Sequence, residues 1–223
     1  MSIDFTNQRQ SYEQGQLLED NLPTLPYPLL QTWIQQAIAA KQGEAYAFAL
    51  ATCGRDNQPS VRTVLMREIT ELGQNGQKDG VGLTFYTNYD SAKGSDLAAN
   101  PQAEALFFWA SLERQVRITG HVYKVSREQS ETYYHQRPRD SQLAAWVSEP
   151  QSGVVDSRET MEAKFEQISQ HYDGKAVPMP EFWGGYQLVA EQIEFWQGRP
   201  NRMHDRIVYA WTGSEWIKER LLP

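Results

Sequence analysis

The sequence predicts a mainly β fold with peripheral α-helices, an antiparallel barrel or curved sheet, on three observations. Apolar and β-branched runs of strand length follow one another with turn residues between them. Helical spacing is confined to segments set between groups of strands. The regular strand-helix-strand alternation of a parallel sheet does not develop.

Residues 1–26 are polar and end in the proline-punctuated NLPTLPYP, so they read as a mobile arm or lid ahead of a single domain over 27–223. Leu29, Leu30, Trp33, Ile34, Ala37 and Ile38 recur at helical spacing after Pro28, and the pattern stops near Gly43. AYAFALATC, SVRTVLMREI and VGLTFYTN then read as an antiparallel meander, with GRDNQP and ELGQNGQKDG as its turns. A short helix, DSAKGSDLAAN, is closed by Pro101, and strands resume with AEALFFWA and RQVRITGHVYKV. REQSETYYHQ, PRDSQLAAWV and SRETMEAKFEQISQHY are helical, and GGYQLVAEQIEFWQG, RIVYAW and EWIKERLLP return to strands.

Composition narrows the function. With 40% hydrophobic and 12% aromatic residues among 223, the chain can bury a sizeable core. A formal charge of −7 with no lysine/arginine block argues against nucleic acid, whose backbone needs clustered positive charge. Cys53 is the only cysteine, which leaves no intrachain disulfide or thiolate zinc site and suits a reducing cytoplasm. No apolar stretch resembles a signal h-region or approaches the ~20 residues of a membrane span. His121, His135, His171 and His204 lack metal-site spacing, and no phosphate-loop, dinucleotide or serine-elbow pattern occurs.

What remains is three constellations suited to anions and one cationic cluster. Tyr133, Arg137 and Ser141 recur every four residues across a helix break expected at Pro138. Arg62 and Arg67 flank an apolar strand, where a spacing of five puts them on opposite faces roughly 17 Å apart, implying two ligands or a subunit boundary unless a bulge intervenes. Tyr86, Thr87 and Lys93 surround the start of a helix, whose free amides suit phosphate. Each of the three also reads as ordinary surface charge or helix capping, and their co-occurrence carries the argument. In NRMHDR, a strand that began early would place Arg202, His204 and Arg206 on one face.

FYTN with SAKG, LERQVRITG, RPRDSQLAAWVS, FWGGY, EQIEFWQG, NRMHDR and the terminal RLLP, in this order, resemble the pyridoxine/pyridoxamine 5′-phosphate oxidase family. The resemblance runs from about residue 40 to the end. It implies a homodimeric split barrel with FMN at the subunit interface, oxidising pyridoxamine or pyridoxine 5′-phosphate with dioxygen and releasing hydrogen peroxide. By position, Arg62, Tyr86, Thr87, Lys93, Gln115, Gln151, Ser152, Trp196 and Arg206 correspond to FMN contacts. Arg67, Tyr133, Arg137, Ser141, Arg202 and His204 correspond to substrate contacts, the last two at the reacting ring, while Arg9 and Tyr12 on the arm resemble residues that close over it. The family carries Lys where Arg67 stands and Arg-Lys where this chain has Ala92-Lys93, and SEPQS is one residue longer than usual. A split-barrel flavin reductase and a non-catalytic FMN- or pyridoxal-phosphate-binding dimer are the competing expectations, and the complete substrate set argues for the oxidase.

Overall fold

A computed structural model describes residues 3, 4, 6, 7, 11–73, 80–149 and 151–223. Five helices and nine strands follow in the order α1 (Pro26–Ala39), β1 (Ala47–Cys53), β2 (Pro59–Leu65), β3 (Glu68–Leu72), β4 (Gly80–Asn88), α2 (Ala92–Ala99), β5 (Gln102–Trp109), β6 (Arg114–Lys124), α3 (Arg127–Gln136), α4 (Arg139–Val147), α5 (Arg158–His171), β7 (Trp183–Gln197), β8 (Asp205–Trp211) and β9 (Trp216–Leu221). All strand pairings are antiparallel, in one sheet ordered β2-β1-β5-β6-β7-β4-β3, with β8 and β9 added beside β7.

The pleat sorts the side chains. Burial alternates along β1 and β5, so Phe48, Leu50, Ala105 and Phe107 point inward. Phe48 packs on Phe107 with ring centroids 5.3 Å apart, and also on Phe85 of β4 at 6.0 Å. Since β4 does not pair with β1, this contact crosses the interior of a sheet curled on itself. Trp33 of α1 closes one end, edge-on to Phe195 at 5.3 Å.

β7 produces the split. One of its edges pairs with β6 along nearly its whole length. Its other edge is divided, with Gly82↔Val189 to Asn88↔Trp183 going to β4 and Gln192↔Ala210 to Gln197↔Asp205 going to β8. The change of partner is accompanied by a register shift at Thr119/Gly120 of β6, where a side chain at Gly120 would collide with the Val189 carbonyl.

Two expectations change here. SVRTVLMREI is not one strand, because the Met66 amide donates to the Tyr46 carbonyl (2.9 Å) and the next amide, Arg67, to the Thr84 carbonyl (2.8 Å). Consecutive amides thus serve different hairpins, and the chain turns a corner between β2 and β3. Nor does a strand include Arg202: Pro200–Arg202 is a single 3-10 turn, with Asn201 and Arg202 in the left-handed region at φ 57 and 61. β8 starts only at Asp205, so Arg202, His204 and Arg206 do not share a strand face.

From residue 11 the N-terminal segment is held against the barrel. Tyr209 donates to the Pro23 carbonyl at 2.8 Å, Lys218 to the Leu22 carbonyl at 3.2 Å, and Leu17 is 5% exposed.

Candidate functional site

The corner at Met66-Arg67 gathers cations. Arg62 and Arg67 line one cavity of about 420 Å³ together with Lys93 and Arg137, beside Tyr86, Thr87, Tyr133, Gln151 and Trp183. Among the described residues no carboxylate lines it, so four positive side chains converge in a chain of net charge −7. The strand-face argument that separated Arg62 from Arg67 fails because the strand ends between them.

Each cation is positioned by a separate element. Arg62 lies opposite Leu50 in the β1–β2 register and donates to the Leu50 carbonyl (3.1 Å) and Thr52 Oγ1 (2.6 Å). Ser91 caps α2 by accepting from the Gly94 amide, and Lys93 Nζ donates to Ser91 Oγ and Thr87 Oγ1, both at 3.2 Å. Desolvation lowers the Lys93 pKa, and Arg62 nearby lowers it further. Arg137 occupies the break between α3 and α4, as the proline predicted, with its guanidinium 4.8 Å over the Trp183 ring. Burial also depresses its pKa, with Arg67 among the lesser causes.

Arg62 thus lies near enough to Lys93, and Arg67 to Arg137, to depress the neighbouring cation's pKa, while Arg62 also faces Asp96 at 3.8 Å. The same cavity is lined by an aromatic group in which Tyr86 stacks on Tyr133 at 4.0 Å and on Trp183 at 5.6 Å. Two buried polar atoms here have no hydrogen-bond partner, Arg137 Nη1 and Gln151 Oε1. Orphaned donors and acceptors of this kind are costly unless a ligand completes them. A flat, phosphate-bearing molecule fits: cations for its anionic end, aromatic faces for its ring, and an amide oxygen for a ring N–H.

Not every expected residue is at this cavity. Ser141 lies in the first turn of α4 and does not line it. Ser152 lies in an adjoining cleft, with φ 70 and its Oγ accepting from the Ala92 amide at 3.4 Å. Arg9 falls outside the described residues.

The remaining residues form a second cluster at the far end of β7. Gln115↔Trp196 and Trp196↔Arg206 are register partners, so these three share one face across β6, β7 and β8. His204 packs on Trp196 with centroids 4.8 Å apart, and Tyr12 lies 5.8 Å from Trp196 and 5.7 Å from His204. The Arg199 amide donates to His204 Nδ1 at 3.1 Å, which makes Nδ1 the acceptor and leaves the neutral ring's proton on Nε2. Arg206 donates to both oxygens of Glu194 (2.8 and 3.1 Å), and Arg202 is exposed. Glu194 also meets Arg117, which pairs with Glu104 at 2.5 Å, so charge alternates across four strands.

Sequence reasoning missed two residues of the first cluster. Trp183, quoted only within FWGGY, supplies the face under Arg137. Asn88, 2% exposed, donates from Nδ2 to the Ser148 carbonyl at 2.8 Å and ties β4 to the end of α4 beside Gln151. Its one sequence signal was the final position of FYTN.

Fold and site together define a split-barrel protein built to bind planar anionic ligands. A family model described as pyridoxamine 5′-phosphate oxidase matches residues 34–172, and one described as the pyridoxine 5′-phosphate oxidase C-terminal dimerisation region matches 183–223. The chain belongs to the pyridoxine/pyridoxamine 5′-phosphate oxidase family. It is similar to the pyridoxine/pyridoxamine 5′-phosphate oxidase of Psychrobacter cryohalolentis, 55% identical with all of both chains covered. The Acinetobacter baumannii enzyme of that name is 49% identical over 99% of this chain and 97% of the relative. Among solved structures, PhzG from Burkholderia lata, in complex with tetrahydrophenazine-1-carboxylic acid, matches with TM-score 0.84 at 27% identity, covering 96% of this chain and 100% of that one.

Proposed function

We propose that the chain is an FMN-dependent oxidase that converts pyridoxamine and pyridoxine 5′-phosphates to pyridoxal 5′-phosphate, reducing dioxygen to hydrogen peroxide. The observation that carries this is the cavity that gathers Arg62, Arg67, Lys93 and Arg137 with no carboxylate in its described lining, enough cations for two phosphates. Arg62 and Lys93, with Thr87, would hold the FMN phosphate. Arg67, Tyr133 and Arg137 would hold that of the substrate, with Ser141 near the same helix start.

A homodimer is part of the reading. Trp183 lines the cavity and Trp196 belongs to the second cluster, yet they stand near opposite ends of the 15-residue β7. At ~3.3 Å per residue the path between them is on the order of 40 Å, too far for one small ligand. A second copy, docked through the C-terminal strands that match a dimerisation region, would bring its Gln115, Trp196, Arg202, His204 and Arg206 to the first copy's cavity.

When bound, FMN would supply the acceptor for a hydride from the substrate 4′ carbon, with dioxygen as the final oxidant. The protein binds, orients and dries the two rings. Arg137 and Arg67 fix the substrate by its phosphate. Arg202 and His204 bear on its ring from the other side, His204 through the Nε2–H that the Arg199 amide selects. Gln151, Gln115 and Arg206 would hold the flavin, and Tyr12 would close the approach from the arm. The lone Cys53 suits the reducing cytoplasm as the working compartment. No helix among the described residues is long and apolar enough to cross a membrane.

The test is peroxide formation by FMN-loaded protein given pyridoxamine or pyridoxine 5′-phosphate, with molar mass measured by light scattering. Peroxide from either substrate and a mass of two chains are expected. An FMN-loaded dimer that makes no peroxide from either would leave a flavin carrier or a reductase of another substrate.

A further inference from the structure

The N-terminal segment crosses the ends of β8 and β9, where several charged side chains meet it. Arg220 of β9 donates to both oxygens of Glu19 (2.5 and 3.0 Å), to the Leu17 carbonyl (2.6 Å) and to Asp205 Oδ1 (2.7 Å). The other oxygen of Asp205 accepts from the Leu17 amide at 3.0 Å and lies 3.6 Å from Arg199 Nε. Arg199 Nη1 donates to the Gly15 carbonyl at 2.8 Å, and Glu113 accepts from the amides of Glu13 (2.6 Å) and Gln14 (2.9 Å). Residues 11–18 form neither helix nor strand, so these side chains replace the ladder that would otherwise fix them.

This clamp adjoins the second cluster. Asp205 follows His204 directly, and Arg199, whose side chain holds Gly15, also orients His204 through its amide. The clamped segment carries Tyr12, whose ring rests on both His204 and Trp196. At Gly198 a side chain would collide with Tyr12, so the barrel surface is cut to receive that ring.

We propose that Asp205 and Arg220 are positioning residues: they lock the N-terminal segment so that Tyr12 packs against His204 and Trp196, and through Tyr12 they set the affinity for substrate. This rests on the oxidase reading. An exposed ion pair contributes little alone. Here a bidentate arginine, a shared aspartate and backbone acceptors at Leu17 and Gly15 act on one short segment, and the effect is delivered at the aromatic contact.

The experiment is a double-mutant cycle on FMN-loaded protein, with Arg220→Gln, Tyr12→Ala and the pair. Glu19→Gln serves as a second variant, since Glu19 is exposed and its loss leaves the barrel intact. Arg220→Gln should raise KM for pyridoxamine 5′-phosphate roughly 5-fold and change kcat less than about 2-fold. In the Tyr12→Ala background it should change KM by less than about 2-fold. Hydrogen exchange at the Leu17 amide should speed up roughly 10-fold in both Arg220→Gln and Glu19→Gln, with β7 amides unchanged. An unchanged KM and Leu17 exchange rate in both variants overturns the proposal, as does a KM rise that is the same with and without Tyr12. Wild-type turnover is read separately: an active wild type beside indifferent variants overturns the positioning role alone, whereas an inactive, FMN-loaded wild type overturns the oxidase reading and this inference with it.

Discussion

Glu194 holds Arg206 through both carboxylate oxygens, at 2.8 and 3.1 Å, and is itself only 5% exposed. A carboxylate so buried is tolerated because two guanidinium groups, those of Arg206 and Arg117, face it. The hydrogen bonds to Glu194 raise the Arg206 pKa, so that side chain is a fixed cation aimed along one line. Glu194→Gln should therefore weaken FMN binding about 10-fold and cost about 2 kcal/mol of stability. Flavin fluorescence titration and urea unfolding measure the two; unaltered FMN affinity would detach Arg206 from the flavin.

Arg137 and Arg202 belong to different clusters and should fail differently. Arg137→Ala removes a phosphate anchor, so KM should rise roughly 10- to 100-fold with kcat nearly unchanged. Arg202→Ala removes a contact at the reacting ring, so kcat should fall about 10-fold or more. Steady-state kinetics on both variants decides, and the reverse pattern would exchange their roles.

Lys93 makes FMN affinity depend on pH on the alkaline side. Its pKa is lowered, so between that value and the ordinary 10.5 the unfolded chain binds more protons, and the stability of the flavin-free protein rises with pH in this window. Binding of a phosphate dianion has the opposite sign, since it needs the ammonium. FMN affinity should fall as pH rises through the lowered pKa, beginning below 10.5. Lys93→Met should remove the inflection in a plot of affinity against pH.

Tyr209 is fully buried and joins the core to the N-terminal segment through its hydroxyl on the Pro23 carbonyl, with its pKa pushed up to about 12 by burial. Tyr209→Phe keeps the packing and leaves that carbonyl without its donor, so it should cost about 1 kcal/mol. Thermal unfolding at constant FMN measures it. A loss above about 3 kcal/mol would show that the ring itself had shifted.

The parts of this architecture readable from sequence are those decided locally. The prolines at 26 and 28 mark the first turn of α1, which starts two residues before Pro28, Pro138 separates α3 from α4, and alternation marks β1, β5 and β6, because ring sterics and the pleat act within a few residues. The corner at Met66-Arg67 gave no such sign, since neither Gly nor Pro marks it. It is made by which neighbours take two successive amides, Tyr46 and Thr84. At Arg202 the signs were present, since Gly198, Pro200 and Asn201 are turn residues, and they stop a strand from reaching Arg202. The resemblance supplied the names of the site residues, whereas their division between two ends of β7 required the fold. Trp183 under Arg137 is a contact between the α3–α4 break and the start of β7 that no spacing encodes.

The length of β7 has a genetic consequence. If the two clusters meet only across a pair of chains, an allele lacking Arg137 and an allele lacking Arg202 each lower turnover at limiting substrate yet complement when expressed together. In a mixed dimer one site takes both defects and the other takes neither. Random assortment of equal amounts should return about a quarter of wild-type sites, whereas two alleles damaged at the same end of β7 should return none.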